Sequence, residues 1–356
     1  MEARRLDLLL AAVAKTAASA LHLVPGRRPA LRVQRRFVDG DDTVLQAADV
    51  DELTRDLLFA DHREQLARCG HVEVLYVARG GVRHRVTVVE ADGNHALVLR
   101  PVPAVPLGLA AAGLPEQLSA LTRVRSGFVV VAGFFGAGKS TTLAALVAEM
   151  NQDPGRHLVT IEEPIAFLHP VAAALLHQRE VGTHVATAAA GIRQAMVVGA
   201  DVIVIDEVRD AEALEAAVTA AESGCLVFAG VEAGSIAGAI GACAGLVGPE
   251  QRPRLRTRLA RVLRACTAQS LLQRAQVDGR IPAIEILVGS QAVRAAIRRG
   301  NLQDLPAIMT RCRGLGMQTT DLALRSLLSR GLVTADEALL HATCLDAVLP
   351  RVPAAR

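Results

Sequence analysis

The sequence predicts an α/β protein, with a parallel sheet layered by helices, a small α+β unit ahead of it and a helical part behind. Three observations lead there. In the middle of the 356-residue chain, FVVVAG (128–133), HLVTIEEP (157–164), VIVIDE (202–207) and LVFAGV (226–231) recur with helical patterns between them. Strands alternating with helices build parallel sheets, and FVVVAG carries no charge, as suits a strand buried on both faces. Ahead of these runs, PGRRPALRV and VLYVARGGVRHRVTVVEADGNHALVLRPVP alternate apolar and polar residues, with Gly or Asp-Gly at the turns, which is the pattern of an antiparallel sheet. Between the two regions, PVPAVPLGLAAAGLP carries four prolines and reads as a linker.

Taken in order, residues 5–22 read as an amphipathic helix, because Asp7 and Lys15 interrupt the apolar stretch and argue against a secretion signal. No apolar run reaches the roughly eighteen residues that span a bilayer. The run from Val102 to Leu114 contains Pro103 and Pro106 and would not stay helical. The expected boundaries are an N-terminal α+β domain over 1–105, a linker over 106–120 and the larger domain over 121–348. From about residue 249 onward the pattern reads as helical, and GLVTADEAL ends it with Thr334 and Glu337 at capping-box spacing.

Composition narrows the function. Apolar residues make up 51% of the chain, enough for buried cores, so this is not a disordered sequence. Aromatic residues are only 2%, too few for a base-stacking platform, and 39 basic against 36 acidic residues give a net charge of only +3. No nucleic-acid partner is expected. The arginines of RPRLRTRLARVLR (252–264) read as a solvated face or a subunit seam. The cysteines, Cys69, Cys225, Cys243, Cys266, Cys312 and Cys344, are scattered, which suggests neither a disulfide framework nor a zinc site and fits a reducing cytosol. His71 and His157 have no carboxylate or cysteine at ligand spacing.

The strongest local signal is GFFGAGKSTT (133–142), in which Gly133-x-x-x-x-Gly138-Lys139-Ser140 satisfies the phosphate-loop pattern between a strand and a helix. Gly136 and Gly138 let the backbone curl so that successive N–H groups point at phosphate oxygens, with Ala137 and Thr141 completing the cradle. Lys139 adds a point charge, the Ser140 hydroxyl can coordinate Mg2+, and the helix starting there adds its positive end. Phe134 and Phe135 are expected to pack under the loop.

From residue 127 to about 340 the chain resembles the PilT-like pilus-retraction ATPases of the type II/IV secretion superfamily, through GFVVVAG..GAGKSTTLAALV, LVTIEEPIAFLH, HQREVGTH and DVIVIDEVRDAEALEAAVTAAESGCLVF. GRIPAIEIL, AVRAAIRRGN and LGMQTTDLAL extend the match, and ASALHL, with His22, and VRHRVTVVE extend it more weakly into the N-terminal region. The resemblance implies a RecA-like P-loop NTPase domain behind a small PAS-like N-terminal domain. It also implies ATP with Mg2+ as ligands and a hexameric ring, built of identical copies or mixed with a paralogue. The ring would serve type IV pilus retraction, cytoplasmic but peripheral at the inner membrane beside a platform protein. It further implies that Arg83, Arg85 and Arg100 reach a nucleotide, partly across subunits; the other reading of these three is a basic edge on an exposed strand.

The chain departs from the family at several points. The acidic box, I-E-D-P-I-E in the family, is Ile161-Glu162-Glu163-Pro164-Ile165-Ala166 here, so Ala166 stands where a glutamate would activate water. Cys225 and Glu232 stand at the places of two histidines linked to coupling, and VVGADVI replaces a charged segment. Two readings compete. In one, the base is lost and the chain is a non-hydrolysing, nucleotide-gated regulatory subunit. In the other, chemistry is relocated: Asp206 and Glu207 end the Walker B strand, Asp206 helping to hold Mg2+ with Ser140 and Glu207 polarising water, with Glu162 a further candidate base. The second gives an ATPase of weak or conditional turnover. Glu163 reads as a surface residue.

Overall fold

A computed structural model describes residues 3–16, 18–33, 36–79, 81–102, 105–277 and 279–349. The chain forms two compact units, Met1–Val105 with Ala166–Leu168, and Pro106–Ile165 with His169–Arg356.

The first unit contains helix α1 (Ala3–Lys15), strands β1 (Ala20–Leu23), β2 (Ala30–Val33) and β3 (Arg36–Asp39), helices α2 (Ala47–Leu57) and α3 (Ala60–Cys69), and strands β4 (His71–Val77), β5 (Arg83–Ala91) and β6 (Asn94–Pro101). All pairs in its sheet, ordered β3-β2-β1-β6-β5-β4, are antiparallel. Leu6, Leu9, Leu10 and Val13 recur at helical spacing on α1 and share a core with Leu21, Leu23, Val86, Val88, Leu97 and Leu99. Asp92 and Gly93 both take positive φ (53° and 71°), the turn geometry that Asp-Gly between two strands demands. The helix expected to run to residue 22 stops at Lys15. ALHL becomes β1, paired on one side with β2 and on the other with β6, because a central strand placing Leu21 and Leu23 in the core outweighs local helical periodicity.

The second unit runs α4 (Ser119–Thr122), β7 (Gly127–Ala132), α5 (Lys139–Met150), β8 (His157–Glu162), β9 (Leu175–Glu180), α6 (Ala188–Val197), β10 (Val202–Ile205), α7 (Ala211–Glu222), β11 (Leu226–Val231), α8 (Ile236–Gly245), α9 (Arg252–Val262), β12 (Leu263–Gln273) and β13 (Arg280–Val288). Helices α10 (Gln291–Arg299), α11 (Leu305–Arg311), α12 (Thr320–Ser329), α13 (Ala335–Leu340) and α14 (Leu345–Val348) come after them. Its sheet is ordered β13-β12-β7-β11-β10-β8-β9, and every pair except β12–β13 is parallel. Both faces are covered. Phe128, Val130, Ile203, Ile205 and Val227 pack against residues of α6 to α9, while Val129, Val131, Val204 and Phe228 pack with Leu143, Leu146 and Val147 of α5. Within the segment expected as a linker, Leu114 and Leu118 are buried in this second core.

Two strand assignments correct the sequence reading. The region after 249 is not helical throughout: α9 ends at Val262 and the chain enters the β12–β13 hairpin, which extends the parallel sheet beyond β7. LRACTAQSLLQ and RIPAIEILV are apolar runs whose periodicity does not separate a buried strand from a buried helix. LLHQRE, too polar to announce itself, is the edge strand β9. The arginines of α9 are not all solvated, since Arg258 binds Glu215, Glu222 and Thr219 of α7. Thr334 does cap α13, accepting from Glu337 N–H at 3.2 Å, but the Glu337 carboxylate accepts from Gln273 N–H at 2.7 Å and ties the helix to the end of β12. Among the described residues, no helix is long and apolar enough to cross a membrane.

Gly230 on β11 makes the closest approach in the sheet. A Cβ there would lie 1.8 Å from the carbonyl oxygen of Asp206, just past the end of β10. Gly230→Ala must therefore push the β10 and β11 ends apart. We expect a loss of about 1–3 kcal/mol, read as a lower urea midpoint at unchanged slope.

Candidate functional site

The carboxyl ends of β7, β11, β10 and β8 open on one edge of the second sheet, and the sequence-predicted residues of the larger unit gather there. β7 leads into the Gly133–Ser140 loop. Gly136 and Gly138 hold φ of 78° and 89°, a left-handed backbone that other residues resist, and Gly138 is the N-cap of α5. At Gly133 a Cβ would fall 2.8 Å from that of Ala137, so the turn closes only around glycine. Lys139 Nζ folds back to donate to the Gly133 carbonyl at 2.8 Å. Behind the loop, buried Gln269 of β12 accepts from Thr142 Oγ1 at 2.9 Å and donates to the Ala137 carbonyl at 2.7 Å. Sequence reasoning missed Gln269, whose partners are distant in the chain.

Phe134 and Phe135 do not pack beneath the loop. Phe135 is 90% exposed, and the Phe134 ring lies on the backbone of Gly234, where a Cβ would sit 2.5 Å from it. The tightness of the turn around Gly133 turns both rings outward and leaves the space below to Ala137 and Gln269.

β10 delivers the Walker B pair. Ser140 Oγ donates to Asp206 Oδ1 at 2.7 Å, placing two hard oxygen donors side by side at the mouth of the cradle. Glu207 Oε1 lies 3.9 Å from Lys139 Nζ. Its other oxygen, Oε2, accepts from Arg209 Nε at 3.1 Å, and Arg209 Nη1 donates to Glu163 Oε2 at 2.6 Å. Glu163 is therefore solvent-facing, as expected, but is also half of an ion pair that reaches the site. Burial alone would lower the Arg209 pKa, but the carboxylates of Glu163, Glu207 and Asp206 raise it, so the guanidinium stays charged.

Glu162 at the end of β8 accepts on Oε1 from Thr160 Oγ1 at 2.7 Å and from Gln178 Nε2 at 3.1 Å. With Ser140, Thr160, His169 and Asp206 it lines a small cleft beside the loop. His169 was not singled out by the sequence. Its Nδ1 is buried with no hydrogen-bond partner among the described residues, and burial lowers its pKa to about 4. Arg83, Arg85 and Arg100 lie on the sheet of the first unit. Arg85 and Arg100 stand directly opposite each other on β5 and β6, and Glu73 approaches Arg85 Nε at 4.0 Å. Cys225 and Glu232 flank opposite ends of β11; the Cys225 thiol donates to the Ala200 carbonyl at 3.3 Å, while Glu232 is exposed at the phosphate-loop end. No cluster of three or more His, Cys, Asp or Glu suited to a metal ion occurs among the described residues.

The family described as type II/IV secretion system protein matches residues 75–318. The type IV pilus retraction ATPase PilT of Pseudomonas aeruginosa is 32% identical over 330 residues, covering 93% of this chain and 96% of its own length. The type IV pilus ATPase PilU of the same organism is 30% identical over 336 residues, covering 94% of this chain and 88% of its own. The solved structure of the pilus retraction motor PilT with bound ADP matches with a TM-score of 0.85 at 29% identity, over 96% of this chain and 97% of that one.

The His169 environment makes a pH prediction. The unfolded chain binds a proton on this imidazole below its ordinary value of 6.5, whereas the folded chain binds it only near 4. The stabilisation is complete above 6.5 and is lost as pH falls toward 4. Urea midpoints measured across that window should decline for the parent protein, and His169→Asn should flatten the decline.

Proposed function

The chain belongs to the type II/IV secretion system protein family and is PilT-like over nearly its whole length, and we propose that it binds ATP and splits it slowly as a motor of the pilus-retraction kind. One observation carries this reading: the Ser140 hydroxyl meets the Asp206 carboxylate at 2.7 Å, at the mouth of a glycine cradle closed by Lys139. That pair of oxygen donors fits a magnesium ion, which when bound neutralises charge on the phosphate oxygens. The amides of Gly136, Ala137, Gly138, Lys139 and Ser140 hold the phosphates, with Gly133 closing the turn and Thr141 in the first turn of α5. Lys139 leaves the Gly133 carbonyl for the outer phosphates.

Glu207 takes the proton of the attacking water. Ala166 has no group to do so, and one oxygen of Glu162 is already engaged by Thr160 and Gln178. Turnover is slow because Ala166 leaves the acidic-box position without a base, and Glu207 serves in its place. Arg85 and Arg100, a like-charged pair held face to face, together with Arg83 supply positive charge to a nucleotide in a six-membered ring. The ring, homomeric or shared with a paralogue, works on the cytoplasmic face of the inner membrane against a pilus platform protein.

A second reading is favoured by the alanine at 166 and by the loss of both coupling histidines to Cys225 and Glu232: a nucleotide-gated regulatory subunit that binds ATP without splitting it. Phosphate release from the purified chain separates the two. Lys139→Ala should abolish nucleotide binding. Glu207→Ala should retain bound ATP and lower phosphate release by roughly a hundred- to ten-thousand-fold, the scale of a lost general base. Unchanged release in Glu207→Ala would remove Glu207 from the chemistry, and a parent chain that binds ATP but releases no phosphate would establish the regulatory reading.

A further inference from the structure

At the mouth of the loop, four charges alternate in sign: Lys139, Glu207, Arg209 and Glu163. Lys139 Nζ and Glu207 Oε1 are 3.9 Å apart, beyond hydrogen-bonding reach, and the ammonium donates instead to the Gly133 carbonyl at 2.8 Å. Their side chains are 11% and 21% exposed, so water screens their attraction only weakly. Something must hold the carboxylate off the lysine. Arg209 Nε and Nη2 both reach Glu207 Oε2 at 3.1 Å, while Nη1 reaches Glu163 Oε2 at 2.6 Å. The planar fork thus spans two carboxylates from the ends of two strands, which a lysine could not do.

We propose that Arg209 is a positioning residue that draws Glu207 away from Lys139 and so keeps the lysine available for phosphate. This rests on the loop's binding nucleotide. Without Arg209, Glu207 closes the remaining gap to Lys139, and the resulting ion pair competes with the phosphates for the ammonium. The hydrogen bonds of Arg209 go to Glu207 and Glu163, so its influence on binding passes through the Glu207 carboxylate. Glu163, placed on the far side, anchors the guanidinium so that it pulls outward.

The test uses affinity alone and needs no turnover. Titration calorimetry with Mg2+ and a non-hydrolysable ATP analogue should show Arg209→Ala binding about tenfold more weakly than the parent, the scale of one charge-assisted contact. In a Glu207→Gln background the same Arg209→Ala change should alter affinity by no more than about twofold, since a neutral amide has no ion pair to form with Lys139. Arg209→Lys, keeping charge but losing the fork, should fall between Ala and the parent. Arg193→Ala, which removes a surface arginine paired with Glu212 elsewhere, should leave affinity unchanged. A folding defect would persist in the Glu207→Gln background, so an equal loss in both backgrounds overturns the proposal, as does full affinity in Arg209→Ala. A parent chain with no affinity for the analogue overturns the nucleotide reading itself, a result distinct from either.

Discussion

Parallel strands that start together also end together, and the chemistry of this chain is built on that constraint. β7, β11, β10 and β8 are adjacent and run the same way, so residues just beyond Ala132, Val231, Ile205 and Glu162 meet at one edge. The 2.7 Å bond between Ser140 and Asp206 joins groups 66 positions apart because of this pairing. Gly230 lets the Asp206 backbone approach β11, and β12 brings Gln269 under the loop. Burying that amide would cost stability if either of its polar atoms were idle; both are bonded, so it stiffens the cradle from behind.

The same edge concentrates charge, and alternation of sign is what makes this tolerable. Each of Lys139, Glu207, Arg209 and Glu163 neighbours a group of opposite sign, so no member of the row is left uncompensated. A polyphosphate entering the loop upsets the balance at the lysine end, where negative charge is added. The first unit shows a different arrangement: Arg85 and Arg100 face each other across a ladder, a like-charged pairing that Glu73, 4.0 Å from Arg85 Nε, partly offsets. On the proposed reading, the loop edge takes up negative charge by releasing a lysine, whereas the first sheet sets two arginines opposite each other with one carboxylate beside them.

Which of these features could be read in the sequence depends on how far apart in the chain their parts lie. The phosphate loop is legible because its glycines, lysine and serine are contiguous and each answers a local demand of the backbone. Asp206 and Glu207 are legible because they end a short apolar run. Arg209 lies only two residues on, but its function depends on Glu163, which is 46 positions away, and no local pattern pairs them. Gln269 is further removed, bonding to Thr142 across 127 positions within a run whose periodicity fits helix and strand alike. β9 was hidden by its polarity, which an edge strand tolerates. The family resemblance brought Arg83, Arg85 and Arg100 forward, where composition alone would have left a basic strand edge.

The departures from the family pattern also have an order in space. Cys225 lies at the amino end of β11, far from the loop, where its thiol bonds to the Ala200 carbonyl and burial, then the Asp201 carboxylate, push its pKa up. Glu232 lies past the opposite end of the strand. Two groups separated by a whole strand cannot pass a proton between them, so each substitution acts locally. The first trades a titratable ring for a protonated thiol anchored to the backbone between α6 and β10, and the second adds a carboxylate to the phosphate edge. Neither removes a contact of the cradle, whose glycines, lysine and serine all stand in place. On the proposed reading, the altered positions therefore bear on steps after phosphate binding, namely proton transfer and its coupling to movement, and leave the geometry of the loop whole.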